Sequence, residues 1–110
     1  MYKIVASPTF KLCLNRLVYF LTKKYSSKCA LDTKQHIRKA IGYLADNPYL
    51  APVSERLIDL GIKEYHQYLV DENNIVFYHV DEDKHQVILL AVMDSRQSIQ
   101  KLLSEVMLLS

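Results

Sequence analysis

A chain of 110 residues, half of them hydrophobic and 24% charged, is long enough for one folded domain and too apolar to stay disordered. Its formal net charge of +2 is far from the basic excess of a dedicated nucleic-acid binder. With 2 glycines, 3 prolines and 2 cysteines it has no disulfide framework, no Gly-rich phosphate loop and room for little besides regular elements on short connections.

In chain order, Tyr2 to Ala6 is predicted as a short strand. Ser7-Pro8-Thr9 then marks a helix start, with Ser7 as N-cap and Pro8 at the first helical position. Leu12, Leu14, Leu17, Val18, Phe20 and Leu21 form the apolar stripe of that helix, and Lys11, Asn15, Arg16, Lys23 and Lys24 its polar side. After a break at Tyr25-Ser26-Ser27, a second helix is predicted from Cys29 to Ala45, burying Ile37, Ala40, Ile41 and Leu44. Asn47-Pro48 stops it, because proline disfavours helix at the residue before it. A connection follows, with a turn between Ser54 and Leu60 that Gly61 ends.

Three strands then come in succession: Lys63 to Val70, Ile75 to Val80 and Gln86 to Met93. The last, nearly continuous in Val, Ile and Leu, reads as a central strand covered on both faces. Short polar turns at Asp71–Asn74 and Asp81–Lys84 favour an antiparallel meander. A terminal amphipathic helix is predicted from Ser98 to Leu109. The fold class is α+β, a β-α-α-β-β-β-α chain forming a single domain over 1–110, with a helical hairpin on one face of a mainly antiparallel sheet.

The chemistry is sparse. His36, His66, His79 and His85 show no ligand spacing and the two cysteines stand apart, so no metal site is expected. No nucleophile–base–orienter set is visible, and no cofactor is implied. Strand alternation puts His66 and Tyr68 on one face, where with Tyr78 they could form a binding or nucleolytic patch; the alternative is that Tyr68 and Tyr78 pack the sheet while His66 is solvated. Lys11, Lys23, Lys24, Lys28, Lys34, Arg38 and Lys39 make the hairpin strongly basic against Asp32 and Asp46 alone; this is a surface for an acidic partner or a solvated helix face. No apolar run approaches the ~20 residues needed to span a bilayer, and the first ten residues have no long apolar segment. A cytoplasmic location with reduced thiols is expected.

Four local sequences, in order, resemble the RelE/ParE superfamily of small bacterial toxins. They are Asn47-Pro48-Tyr49 before an extended segment, Gly61-Ile62-Lys63-Glu64 at a strand start, Ile75-Val76-Phe77-Tyr78-His79-Val80, and Val92-Met93-Asp94-Ser95-Arg96-Gln97-Ser98-Ile99. The resemblance implies the toxin of a type II toxin–antitoxin pair, with a cognate antitoxin as partner. In RelE-like members, ribosome-dependent mRNA endonucleases, cations on the sheet stabilise the transition state, one of them an Arg opening the strand that here begins with Ile75. If this chain were such a nuclease, Arg96, His66 and Lys63 would be its catalytic candidates. ParE-like members lack that set and are implied to bind DNA gyrase. Ile75 in the arginine's place points to ParE, although Asp94 stands where ParE often has His. Target- or antitoxin-binding candidates are then Arg96, Lys63, Tyr68, Lys23, Lys24 and Arg38, with direct nucleic-acid binding not expected outside the target complex. An inactive binding module is the remaining alternative.

Overall fold

The computed structural model describes residues 1–62, 64–95 and 101. Within them the order is β1 (Lys3–Ala6), α1 (Pro8–Lys24), α2 (Ser27–Gly42), a 3-10 turn (Tyr43–Ala45), α3 (Glu55–Asp59), β2 (His66–Leu69), β3 (Asn74–Asp81) and β4 (Gln86–Asp94). Of the predicted terminal helix only Lys101 is among the described residues, and it is helical; the rest lies outside them.

Local chemistry sets the helix starts. Ser7 Oγ accepts the Phe10 amide with Pro8 in the first turn, as the sequence predicts, and Ser26 Oγ accepts the Cys29 amide. Capping at Ser26 starts α2 two residues earlier than expected. The connection holds a helix rather than a plain turn: Ser54 Oγ accepts the Leu57 amide and starts α3, which Gly61 leaves at φ +80.

The four strands form one mixed sheet in the order β1-β4-β3-β2. β2, β3 and β4 are the predicted antiparallel meander. β1 adds to β4 in parallel, as a chain returning after two helices can do. β2 is shorter than predicted. It starts at His66 because Glu64 sits at φ 71, a conformation no strand continues through, while Val53 bridges to His66 at the sheet margin. Between Phe77 and Tyr78 the β3–β4 register slips past Leu90, a bulge that keeps both halves of β4 in contact with the core.

One face of the sheet carries the hairpin. Leu89 meets Phe10, Leu14, Ile37 and Ile41 there, and α1 crosses β4. In α1 the buried positions are Phe10, Cys13, Leu17 and Leu21. Phe20, placed in the apolar stripe from the sequence, lies largely outside, since its neighbours Leu17 and Leu21 take the inward direction. Burial pushes the Cys13 thiol up, which makes it a small hydrophobe rather than a nucleophile, and Cys13 and Cys29 are both free thiols. The opposite face is apolar as well: Ile75, Phe77, Ala91 and Met93 are buried. β4 is therefore covered on both faces toward its end, as expected, whereas Ile88 and Leu90 are only half-buried.

The β3–β4 turn is tied back to two distant segments. The Tyr2 and Tyr49 hydroxyls both donate to Glu82 Oε1, at 2.7 and 2.6 Å, and the Tyr2 ring stacks on His85 at 3.7 Å. The Tyr49 bond, then the Tyr2 bond, hold the Glu82 carboxyl below its ordinary value, and the same bond pushes Tyr49 up to about 12. A depressed carboxylate stabilises the fold above its unfolded value of about 4.3, and that contribution is lost as pH falls through the lower folded value. Glu82→Ala is thus expected to melt below the wild type at neutral pH, with the gap closing as acid protonates Glu82. Thermal melts across pH check this; a gap unchanged in acid contradicts it.

Candidate functional site: the hairpin surface and the sheet ends

Two sets of predicted residues have to be placed: the sheet residues that would serve a nuclease, and the cations that would meet a partner. Arg96 and Lys63 lie outside the described residues. The others can be followed atom by atom.

His66 and Tyr68 do share a face, paired with Tyr78 and Val76. That face is the one under the hairpin, because Tyr78 is in turn paired with Leu89. The Tyr68 hydroxyl donates to the Ala40 carbonyl of α2 at 3.2 Å. His66 Nδ1 lies 2.7 Å from the Ala51 carbonyl. A carbonyl only accepts, so Nδ1 carries the proton. The His66 ring stacks on Tyr78 at 4.9 Å, and Tyr78 Oη accepts the Ala51 amide at 3.3 Å. Both groups of Ala51 are thereby satisfied by side chains from the sheet, which seats the loop after Pro48 on β2 and β3. Burial raises both Tyr68 and Tyr78, which keeps the phenols protonated.

The same device recurs elsewhere. His36 Nε2 donates to the Val70 carbonyl at 2.9 Å, and His79 Nδ1 to the Glu64 carbonyl at 3.2 Å. Three histidines thus donate to backbone carbonyls of loops or strand ends, and His85 stacks on Tyr2. In the sequence His66 reads as a general base or a solvated side chain, and the four histidines show only that they lack metal-ligand spacing. Their pairing partners lie 15 to 34 residues away along the chain, so no local signal announces them.

On the opposite face, Ile75 stands at the position of the resemblance's catalytic arginine. It is 3% exposed and paired with Met93 and Leu69, an all-apolar row. A guanidinium at that place would lose its hydration with no carboxylate in its row to replace it. β3 therefore presents a packing surface here and not a cationic one.

The cations of the hairpin are arranged differently. Lys23 and Lys24 close α1 and are exposed beside exposed aromatics. Lys23 Nζ lies 5.6 Å from the Tyr19 ring, and Lys24 Nζ 5.4 Å from Phe20 and 5.7 Å from Tyr25. Two lysines in the last turn also complement the helix dipole. The result is a patch of charge and aromatic area around Tyr19, Phe20, Lys23, Lys24 and Tyr25, with Leu31 of α2 also exposed. Arg38 sits apart from it. With Lys11 it borders a cleft of about 280 Å³ floored by Phe10, Leu14, Ile37, Ile41 and Leu89. The hairpin so offers two basic regions, one aromatic and one beside an apolar cleft.

Among the described residues no helix is long and apolar enough to cross a membrane. No group of three or more His, Cys, Asp or Glu is placed to hold a metal ion among them.

No protein-family model matches the chain, and no curated protein matches its sequence. Its shape does find a counterpart. A chain in the crystal structure of the toxin–antitoxin complex RelBE2 from Mycobacterium tuberculosis superposes with a TM-score of 0.57 at 16% identity, covering 84% of this chain and 96% of that one. This chain shares the fold of that chain, an α+β architecture as the sequence leads one to expect.

Proposed function

We propose that the chain is the toxin of a type II toxin–antitoxin pair, that it acts by binding DNA gyrase in the manner of ParE, and that a cognate antitoxin neutralises it. The fold shared with a chain of a toxin–antitoxin complex supports the toxin role and the antitoxin partner. The choice of a binding mechanism over RNA cleavage rests on one observation: among the described residues, the sheet positions that would carry catalysis are committed to structure. Ile75 is buried in an apolar row, His66 holds Ala51 and Tyr68 holds Ala40. Transition-state stabilisation in phosphoryl transfer needs preorganised donors, and each one missing costs roughly 100- to 1000-fold in rate.

Of the candidate cations, those among the described residues, Lys23, Lys24 and Arg38, are on the hairpin. There Lys23 and Lys24 stand beside aromatic area, the composition of an interface that meets an acidic protein surface.

Induced expression in a bacterium without the antitoxin tests the choice of target. Growth arrest with a DNA-damage response is the expected outcome. Growth arrest with immediate loss of translation and cleaved mRNA assigns the ribosome instead, with Arg96, His66 and Lys63 as the residues to examine. Normal growth assigns an inactive binding module.

His66→Ala separates structure from chemistry in the same assay. It removes a hydrogen bond and a ring stack, and is expected to cost about 1 to 3 kcal/mol of stability in a thermal melt. At a temperature where the variant stays folded, toxicity is expected to be retained in full. A folded His66→Ala chain without toxicity would show that the imidazole takes part in the activity.

A further inference from the structure

The cleft beside Lys11 and Arg38 is not used by the toxin reading, which places the target on the patch around Lys23 and Lys24. It has a volume of about 280 Å³ and lies between the first half of α1 and the second half of α2, above β1 and β4. Phe10 and Leu14 come from α1, Ile37 and Ile41 from α2, Leu89 from β4 and Ala6 from β1. Phe10, Ile37, Ile41 and Leu89 belong to the core, and Leu14 and Ala6 are half-buried against it. The space between the helices therefore reaches down to the core.

The chemistry of the lining is divided. Its floor and walls are hydrocarbon. Among the described residues its polar side chains are Lys11 and Arg38, one from each helix and both exposed. Neither has a hydrogen-bond or ion-pair partner among the described residues. The acids of the hairpin, Asp32 and Asp46, are not part of the lining. Two cations at the rim of one cleft, with no carboxylate between them, repel each other, and a bound anion relieves that repulsion.

We propose that this cleft binds a medium-chain fatty acid, its alkyl chain lying between α1 and α2 and its carboxylate shared by Lys11 and Arg38. Charge, polarity and size select this occupant. The ligand is an anion, because the rim offers donors and positive charge, and a guanidinium forks around both oxygens of a carboxylate. The buried part of the ligand is hydrocarbon, because no side chain of the floor donates or accepts a hydrogen bond. A peptide segment entering it would strand its own amide groups, whereas an alkyl chain has none to strand. A methylene takes about the room of a water, roughly 30 Å³, so a space of about 280 Å³ holds a chain of about eight carbons. This site is independent of the gyrase reading, since neither Lys11 nor Arg38 belongs to the aromatic patch at the end of α1.

The test is a methyl NMR titration of the full chain with sodium octanoate, with octanol and octyltrimethylammonium as neutral and cationic controls. Saturable shifts of the Leu14, Ile41 and Leu89 methyls are expected with octanoate. Octanol is expected to bind about tenfold more weakly, the worth of one charge-assisted hydrogen bond, and the cation to leave these methyls unmoved. Hexanoate is expected to be weaker than octanoate by about tenfold for its two missing methylenes. Lys11→Gln and Arg38→Gln together, both at exposed positions, are expected to leave the fold intact and to make octanoate and octanol bind alike. Equal affinity of octanoate and octanol for the unaltered chain, or no saturable shift at these methyls, overturns the proposal. So does tighter binding of acetyl-Glu-Leu-Glu-amide than of octanoate, which would give the cleft to an acidic protein segment.

Discussion

Phe77→Ala is expected to lower stability by about 3 to 5 kcal/mol, the range for truncating a buried aromatic side chain. Phe77 lies mid-strand on β3, 1% exposed, between Gln67 and Ala91. Its removal leaves a cavity against strands that the ladder holds on both sides, so the site cannot collapse. For a domain near 100 residues this corresponds to a fall in melting temperature of roughly 15 to 30 °C. The matched control is Phe20→Ala. Phe20 is 37% exposed on α1 and touches Lys24, and its loss is expected to cost about 1 kcal/mol or less. Thermal or urea melts of the two variants distinguish them. Equal losses would mean that the sheet face carrying Ile75, Phe77 and Met93 is not core.

Reversing Lys23 and Lys24 to Glu is expected to slow association with the target by about 10- to 100-fold. The folded state should barely change, since both side chains are exposed and their ring contacts are each worth only about 0.5 to 1 kcal/mol. The salt dependence of the association rate should flatten as well, because screening then has less attraction to remove. Stopped-flow or surface-binding kinetics at two ionic strengths measure both effects. An unchanged rate would place the target contact elsewhere, with the cleft beside Lys11 and Arg38 the next surface to alter.

Much of the architecture is legible in the residues. Ser7-Pro8 announces the first helix, the Ile37–Leu44 spacing gives the buried side of the second, and the polar turns at Asp71 and Asp81 separate the meander strands. These are local signals, and they succeed because capping and periodicity act within a few residues. The misplacements have tertiary causes. Phe20 looks like core from its spacing, but Phe10 and Cys13 set the inward direction of α1 one position away from it. Lys63 to Tyr65 read as strand, yet Glu64 takes a positive φ where the chain turns off α3 into the sheet. The parallel pairing of β1 with β4 has no local signature, since partners such as Ile4 and Val87 are far apart in sequence.

The functional residues divide along the same line. The basic character of Lys23 and Lys24 is a property of composition and survives into the structure as surface. The histidines were chemically ambiguous in the sequence, because an imidazole that holds a loop carbonyl and one that moves a proton are spelled alike. Only the geometry separates them, and here His36, His66 and His79 hold carbonyls. Asn74 is the reverse case. It reads as an ordinary turn residue, and its orphaned Oδ1 becomes visible only when its Nδ2 is seen to donate to the two oxygens of Asp71.

The central claim is that this chain acts by binding gyrase, without cleaving RNA itself. The direct measurement is supercoiling of relaxed plasmid by purified gyrase with increasing amounts of the purified chain. Loss of supercoiling with accumulation of cleaved plasmid, reversed by the antitoxin, is expected. Unchanged supercoiling, with codon-dependent mRNA cleavage when the same preparation is added to translating ribosomes, would contradict it.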